Sequence, residues 1–567
     1  MDTCFKEMRR FPLTTMALCL LICYYGFGEE STIRFSDLTE SSGLFFQHHT
    51  DSRGRLMLPE ITGSGGAAFD YDQDGDMDLY LVQGAVLDMR MADPSPSVFR
   101  DRLFRNDLKG GEVRWTDVTE ASCIPAGGYG MGVASGDYNK DGWIDLYVTN
   151  LGRNFLLKNL GNGRFEEVAL VAGVADPGWG TSAVFVDFDR DGWLDLFVVN
   201  YLVFSAEWDR RCYARNSALD FCGPSAYEPA PDRLFRNLGN GSFENVTSQM
   251  GFDAAHGPGL GVVAGDWDLN GFPDIYVAND GARNQLWLSQ GTDRPFKDVA
   301  LLYGAAVNGM GAPEAGMGVD SADFDNDGDE DLFLAHLMTE SNTLYVNNGK
   351  ALFDDRTIAL NLHASSLNHT GFGAGWADFD SDGWLDLLVA NGGVKTMGKP
   401  VTSRLNPMAQ PNLVFRNLNG NRFDPISQAF PGELPQSSRG AIFGDYDNDG
   451  DVDVVISNNG GTAEYWSNVS NHSHHWIGFQ LRDPSLRSTS LARVKLTSLS
   501  PDASPLTRWA RVDGSYCSAR DPRVLVGLGL FNADCRVEVT WPDGAAEVWG
   551  PLSPDRYWIL ERRSRID

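Results

Sequence analysis

The chain has 567 residues, 77 of them acidic against 46 basic, for a net charge of −31. That charge would repel a phosphate backbone and excludes nucleic acid as a partner. With 42% apolar and 22% charged residues the chain is globular rather than disordered, and its length calls for more than one domain. Its 62 glycines and 26 prolines are spread along the chain and point to many tight turns, hence an all-β protein.

Residues 1–28 read as an export signal. Lys6, Arg9 and Arg10 precede an apolar run from Phe11 to Phe27, and Gly26 and Gly28 offer small residues for cleavage. A run of about 17 residues is short for a bilayer span. No later segment is long and apolar enough to cross, so no integral span is expected after cleavage. The expected location is extracellular or cell-surface, or periplasmic in a Gram-negative host.

From residue 29 to 470 one unit recurs. Its mark is the nine-residue pattern D-x-D/N-x-D/N-G-x-x-D, found seven times at spacings of 50 to 79 residues. Positions 1, 3, 5 and 9 are Asp70, Asp72, Asp74 and Asp78 in the first copy, then Asp137, Asn139, Asp141 and Asp145 in the second. They are Asp187, Asp189, Asp191 and Asp195 in the third, and Asp266, Asp268, Asn270 and Asp274 in the fourth. The last three copies place Asp323, Asp325, Asp327 and Asp331, then Asp378, Asp380, Asp382 and Asp386, then Asp445, Asp447, Asp449 and Asp453.

Small and apolar residues precede each copy, and an alternating strand follows it, as in LYVTN at 146–150, so the acidic loop joins a hairpin. A second hairpin comes next: an LFRN-like strand, a Gly/Asn turn such as LGNG at 160–163, then F-x-x-V. Two hairpins make four strands, the content of one propeller blade. The last of these strands follows the first six loops, at Trp115, Phe165, Phe243, Phe296, Phe353 and Phe423, but is missing after the seventh. RFSDL at 34–38 has the same pattern ahead of the first loop. The expected fold is therefore a seven-bladed β-propeller closed by an N-terminal strand, which leaves no open sheet edge.

The loops carry the chemistry. Four hard oxygen donors and an invariant glycine at position 6 of a flexible turn match calcium, which takes six to eight oxygens. Zinc and copper would call for His or Cys, which the loops lack. The loops hold 30 acidic side chains against Lys140 and Arg190, so they account for −28 of the −31. Like charges about 4 Å apart repel by about 4 kcal/mol at an effective dielectric of about 20. The expectation is one Ca2+ per blade, up to seven, with Asn139 and Asn270 marking the weakest sites. Asp, Asn and Gly also favour plain turns, but a shared register in all seven loops speaks for a metal.

From about residue 471 the periodicity changes to short strands, WIGFQL, ARVKLTSL, RVLVGLG, RVEVTW and AAEVWG, expected to form a small β-sandwich or barrel over 471–567. His472, His474 and His475 at its entry read as a solvated linker before they read as a metal cluster. Five cysteines lie outside the signal. Export permits disulfides, and proximity pairs Cys212 with Cys222 and Cys517 with Cys535, leaving Cys123 free; other pairings stay open. N-x-S/T sequons stand at Asn240, Asn245, Asn368, Asn468 and Asn471.

The loops and their flanking strands resemble FG-GAP/VCBS repeats, the calcium-binding propeller repeats also found in integrin α chains. HHWIGFQLRD at 474–483, VLVGLGLF at 524–531 and VEVTWPDG at 537–544 resemble an ASPIC/UnbV domain. Together they resemble the cartilage acidic protein family and its bacterial relatives. One departure is LRSTSLARV at 486–494, where that family usually carries an Asn-Arg…Gly-Ala stretch. The resemblance implies an extracellular calcium-binding or adhesion-type protein.

No nucleophile elbow, P-loop or zinc-ligand spacing is present, and no catalytic residue is assigned. His256 and His336 stand alone near strand ends. The expected function is a calcium-stiffened recognition or adhesion scaffold for a protein or glycan. The long connectors 84–102, 201–233 and 393–412 would project from the face opposite the acidic loops, where binding loops on a rigid scaffold are commonly placed. The alternatives are a polysaccharide lyase or hydrolase built on the propeller, and a purely structural surface or matrix component.

Overall fold

The computed structural model describes residues 33–50, 54–87, 99–125, 127–396, 406–470, 473–485, 487–498 and 505–563. The expected signal at 1–28, His472, Asn471 and parts of two long connectors lie outside them.

Seven four-stranded antiparallel sheets follow one another, each in simple up-and-down order. The second is representative: Gly130–Gly136, Asp145–Asn150, Phe155–Asn159 and Phe165–Glu167. The acidic loop joins its first two strands and the Gly/Asn turn joins its last two. The seventh sheet takes its fourth strand from the N-terminus, with Phe35 opposite Asn468 and Asp37 opposite Trp466. First strands of successive sheets pack side by side in a cycle, and Ser438–Gly444 of the seventh packs on Gly66–Phe69 of the first. The arrangement is propeller-like. First and second strands are buried on both faces, as in LYVTN and GVASG, because each sheet is covered by its two neighbours.

The cores between sheets are aromatic and β-branched, for example Phe185, Leu196, Val198, Phe235 and Phe243 packed on Tyr147 and Leu156. One recurrent hydrogen bond locks six of the seven gaps. The asparagine ending the third strand sends Nδ2 to the carbonyl at position 2 of the preceding sheet's acidic loop. Asn159 reaches Tyr71 O at 2.9 Å, Asn237 reaches Tyr138 O at 2.8 Å, and Asn106 reaches Tyr446 O at 2.8 Å. Asn347, Asn417 and Asn468 repeat this onto Trp267, Phe324 and Phe379. In the fourth sheet Ser289 holds that place. The same geometry answers the sequon at Asn468, whose side chain is 3% exposed and engaged, so it is closed to modification in the folded chain.

The C-terminal unit consists of two sheets around one core. His475–Arg482 lies between Val524–Gly529 and Tyr557–Glu561, and runs parallel to the latter. Leu506–Trp509, Arg493–Ser498, Cys535–Thr540 and Ala546–Leu552 form the second sheet. Ile477, Phe479, Val494, Val526, Val537, Val539 and Trp541 fill the space between them. Alternating burial along Cys535–Thr540 shows one face in the core and one in solvent.

The segment 510–523, between two strands of this unit, enters the axis that the seven first strands surround. Val319 N donates to Ser515 O at 3.1 Å, Val133 N to Cys517 O at 3.2 Å and Ala68 N to Ala519 O at 3.1 Å. Ala264 N donates to Asp513 Oδ2 at 2.7 Å, and Ser515 Oγ to Ala441 O at 2.9 Å. At the tip Tyr516 OH donates to Thr62 O and packs with Phe372, Met317, Trp179 and Tyr201. The plug carries Arg511, paired with Glu330 and Asp513, and Arg520, paired with Asp320.

This placement corrects the expected Cys517–Cys535 bridge. Both thiols are free and buried. Cys517 lies in the axial plug beside Ser182, whereas Cys535 begins a strand in the C-terminal core, so proximity in sequence is not proximity in space. Cys212 and Cys222 are bridged and Cys123 is free and exposed. The bridge closes a two-stranded hairpin, Cys212–Tyr213 with Leu219–Asp220, inside the 201–233 connector. That connector meets the connector of the sixth sheet, where Thr396 N and Oγ1 donate to Asp220 Oδ1 and Lys395 Nζ donates to Phe221 O.

Candidate metal centres

Each acidic loop is wound around its own first aspartate. Asp70 Oδ1 accepts from Asp74 N and Oδ2 from Gly75 N, both at 3.1 Å. Asp137, Asp266, Asp323, Asp378 and Asp445 accept the same pair of bonds, and Asp187 accepts from Gly192 N. Position 6 is glycine because its φ is positive in every loop, from 87° at Gly142 and Gly271 to 101° at Gly328. Position 4 is also left-handed in all seven, at Gln73, Lys140, Arg190, Leu269, Asn326, Ser381 and Asn448, with φ of 53° to 62°. This is an uncommon conformation for residues with a Cβ. Its variety of side chains gave no signal in the sequence.

The ninth residue ties the loop to the sheet. Asp145 Oδ1 accepts from Asn159 N at 2.8 Å, and Asp195, Asp331, Asp386 and Asp453 accept likewise from Asn237, Asn347, Asn417 and Asn468. Their second oxygens face the loop interior, where Asp195 Oδ2 takes Phe188 N at 3.1 Å. The expected ligands thereby converge. Carboxylate oxygens of Asp70, Asp72 and Asp78 lie within 4.8 Å of one another, as do those of Asp187, Asp189 and Asp195, of Asp266, Asp268 and Asp274, of Asp323, Asp325 and Asp327, and of Asp378, Asp380 and Asp386.

Burial makes this convergence costly. It pushes Asp145 up to about 8, Asp447 to about 8 and Asp323 to about 7. Asp70, Asp187, Asp266 and Asp445 rise to about 6, burial again being the main cause. Asp78, Asp195, Asp274, Asp331, Asp386 and Asp453 lie well above the carboxylate range for the same reason, with neighbouring loop carboxylates adding to it. Asp72 Oδ1, Asp187 Oδ1, Asp325 Oδ1 and Asp331 Oδ2 are buried and receive no hydrogen bond. A cluster of hard, buried, undonated oxygens fits a divalent cation, and calcium best.

Two further features were not foreseen. Cations from the third strand stand against some loops: Arg416 Nε is 2.7 Å from Asp380 Oδ2, Arg236 Nε is 3.0 Å from Asp189 Oδ2 and Lys158 Nζ is 3.7 Å from Asp141 Oδ2. They lower the charge that a metal must balance. The tryptophans at position 7 each cover the outer turn of their own sheet, and Trp193 also carries the Lys140 ammonium of the preceding sheet at 4.0 Å. Trp143 covers Gly161, Trp193 covers Gly239 and Trp384 covers Gly420, each in the outer turn of its own sheet, where a Cβ would collide with the indole.

The C-terminal unit sits on the face that carries the acidic loops. His474 Nδ1 bonds Asp380 O at 2.6 Å, Gly529 N donates to Ser381 O, and Arg508 Nη2 donates to Gly383 O. Arg523 Nη2 donates to Asp445 O, and Tyr557 OH to Asp445 Oδ2 at 2.7 Å. Asp378 and Asp380 are thereby buried, whereas the first-position aspartates Asp70, Asp137, Asp187 and Asp266 stay partly exposed; the ninth position is buried in every loop. His474 and His475 take separate partners, the latter Asp555, and form no shared site. His336 is buried 3.7 Å from Glu314.

The FG-GAP-like repeat family matches residues 70–148, 137–198, 219–277, 266–334 and 323–389, and the ASPIC and UnbV family matches 488–566. Among curated proteins the chain is similar to cartilage acidic protein 1 of Xenopus tropicalis, at 30% identity over 34% of this chain and 28% of that protein. It is 26% identical to the human and mouse proteins of the same name over 63% of this chain, spanning 49% and 50% of their length. Two solved structures are more distant. An Agrocybe aegerita lectin described as recognising non-reducing terminal N-acetylglucosamine matches at 14% identity and TM-score 0.38, over 64% of this chain and 79% of the lectin. The exotype rhamnogalacturonan lyase YesX matches at 11% identity and TM-score 0.35, over 71% of this chain and 72% of the lyase. With more than half its length matched by repeats whose acidic loops and strands are those described above, the chain belongs to the FG-GAP-like repeat proteins and carries an ASPIC and UnbV domain at its C-terminal end.

Proposed function

We propose that the chain is an extracellular, seven-bladed propeller stiffened by calcium, and that it acts as a recognition scaffold without catalysing a reaction. The observation that carries this reading is the convergence of buried carboxylate oxygens in the acidic loops. Calcium would be held by positions 1, 3, 5 and 9, and when bound would cancel their mutual repulsion. Asn139 and Asn270 leave the second and fourth loops one carboxylate short and hence weaker.

The partner, a protein or glycan, would bind on the face opposite the acidic loops. There the 201–233 connector is held by its disulfide and by Asp220–Thr396, and it exposes Trp208 at 81% and Tyr213 at 62%. Large exposed aromatics on a braced loop are the side chains that dominate recognition surfaces. Capture from an extracellular extract, by the parental chain and by Trp208→Ala/Tyr213→Ala, tests this. The variant should lose the captured partner at unchanged melting temperature. Equal capture by both would remove this surface from the reading.

A further inference from the structure

The C-terminal unit covers the loops of the fifth to seventh sheets and overhangs those of the second to fourth, leaving a cleft of about 320 Å³. That volume is the size of a small-molecule site. Arg190, Arg487 and Arg493 line it together with Phe272, Trp541 and Ser488. Lys140 stands beside it. A Cβ at Gly192 would lie 3.3 Å from Arg487 Nε and 3.4 Å from Lys140 Nζ, so the two cations flank one glycine.

In a chain of net charge −31, cations are expected to be paired. Among the described residues, Lys140, Arg190 and Arg493 have no carboxylate within 4 Å. Arg487 has Asp543 at 3.7 Å, but Arg562 already holds that carboxylate at 2.6 Å. The carboxylates facing these groups at longer range are Asp137, Asp187, Asp191 and Asp266 of the acidic loops, and Asp483 of the cleft wall, which Arg562 holds at 3.0 Å. Lys140 and Arg190 are the two bases within the loops. Each is held over a ring, Lys140 at 4.0 Å from the Trp193 centroid and Arg190 at 5.2 Å from that of Phe272. Aromatic support of this kind orients a cation without neutralising it.

We propose that this cleft binds an anionic oligosaccharide, with Lys140, Arg190 and Arg487 clamping its sulfate or carboxylate groups. The hydroxyls of Ser488 and Ser490 would meet sugar oxygens, and Phe272 and Trp541 would give the ring an apolar wall. The inference rests on calcium in the loops of the third and fourth sheets, since the metal would engage Asp187 and Asp266 and leave Arg190, Arg487 and Arg493 to an anionic ligand. It is independent of the surface proposed on the opposite face.

Titration calorimetry on the full chain tests it. Calcium is titrated first. The calcium-saturated protein then receives a sulfated galactan tetrasaccharide, a glucuronate-containing tetrasaccharide, a neutral galactan tetrasaccharide or a hexaglutamate peptide. At least one anionic sugar should bind, with affinity falling as salt rises, and the two sugars separate sulfate from carboxylate recognition. Lys140→Gln/Arg190→Gln/Arg487→Gln should weaken binding by about tenfold or more at unchanged melting temperature and calcium stoichiometry. The variant is compatible with folding, because Gln73 already occupies the same left-handed position in the first loop and Arg487 is exposed. Arg487→Glu, a single exposed change, should lower affinity further than Arg487→Gln. Absence of calcium heat would overturn the metal reading. Calcium binding without anionic-sugar binding would overturn this one. So would parental affinity in the triple variant, equal binding of the neutral sugar, or tighter binding of hexaglutamate than of either anionic sugar.

Discussion

Arg511 Nη1 donates to Glu330 Oε1 at 2.5 Å, and the two side chains are 4% and 2% exposed. One belongs to the C-terminal plug and the other is the eighth residue of the fifth acidic loop. The pair therefore ties the C-terminal unit to the centre of the repeat ring. Burial pushes Glu330 up to about 7, while its partner and Asp513 hold Arg511 charged. Removing one partner of a buried pair strands the other charge, at a cost of about 3–5 kcal/mol. Arg511→Met should destabilise the chain by that order in chemical denaturation. Arg511→Met/Glu330→Gln should recover only part, because Glu330 is no longer stranded while buried Asp513 still lacks its cation.

The inter-sheet asparagines should be individually measurable. Asn159 is fully buried and gives Nδ2 to Tyr71 O and Ile144 O. Asn159→Ala leaves a buried carbonyl without its donor, which costs about 1–3 kcal/mol. Thermal melting should show the loss. Asn348→Ala, at an exposed position just after the corresponding asparagine of the fifth sheet, should leave the melting temperature unchanged.

Stability should also titrate outside the metal loops. Asp101 is fully buried, accepts from Tyr80 OH and Gln83 N, and is raised by burial from 3.8 to about 6. A raised folded pKa means that the stability associated with the protonated form is complete below the unfolded value and is lost as pH rises through the folded one. In calcium-saturated protein, Asp101 should therefore withdraw about 2–3 kcal/mol between pH 4 and 7. Asp101→Asn should flatten that part of the pH profile of denaturant unfolding.

Cation exchange should fall into two classes. The first- and third-position carboxylates of the sixth loop, Asp378 and Asp380, lie beneath the C-terminal unit, whereas the first-position carboxylates of the first four loops, Asp70, Asp137, Asp187 and Asp266, are partly exposed. Exchange of bound 45Ca2+ against excess unlabelled calcium should show a fast phase from the open loops and a slow phase from the covered ones.

Much of this organisation was legible because it is written in short, repeated offsets. Aspartates, an obligatory glycine and alternating strands mark each first hairpin, and RFSDL pairs with the seventh sheet because its pattern supplies the strand that sheet lacks. Cys212 and Cys222 pair because a short hairpin joins them. What escaped depends on contacts distant in sequence. Residues 510–523 have neither strand nor helix period, and their partners lie in seven separate sheets, so nothing local announces a plug. The Cys517–Cys535 expectation failed for that reason. The asparagine of each LFRN-like strand was visible as a repeat, but its bond crosses to the previous sheet. The basic cleft joins loop positions 140 and 190 to residue 487 only in three dimensions.

The central claim is that divalent cations hold the seven acidic loops closed. The melting temperature of the full chain, measured by calorimetry in excess calcium and again after exhaustive chelation, tests it most directly. Binding linkage predicts a marked drop on chelation that calcium alone restores. An identical melting temperature in both states, with no calcium bound at saturation, would contradict the account.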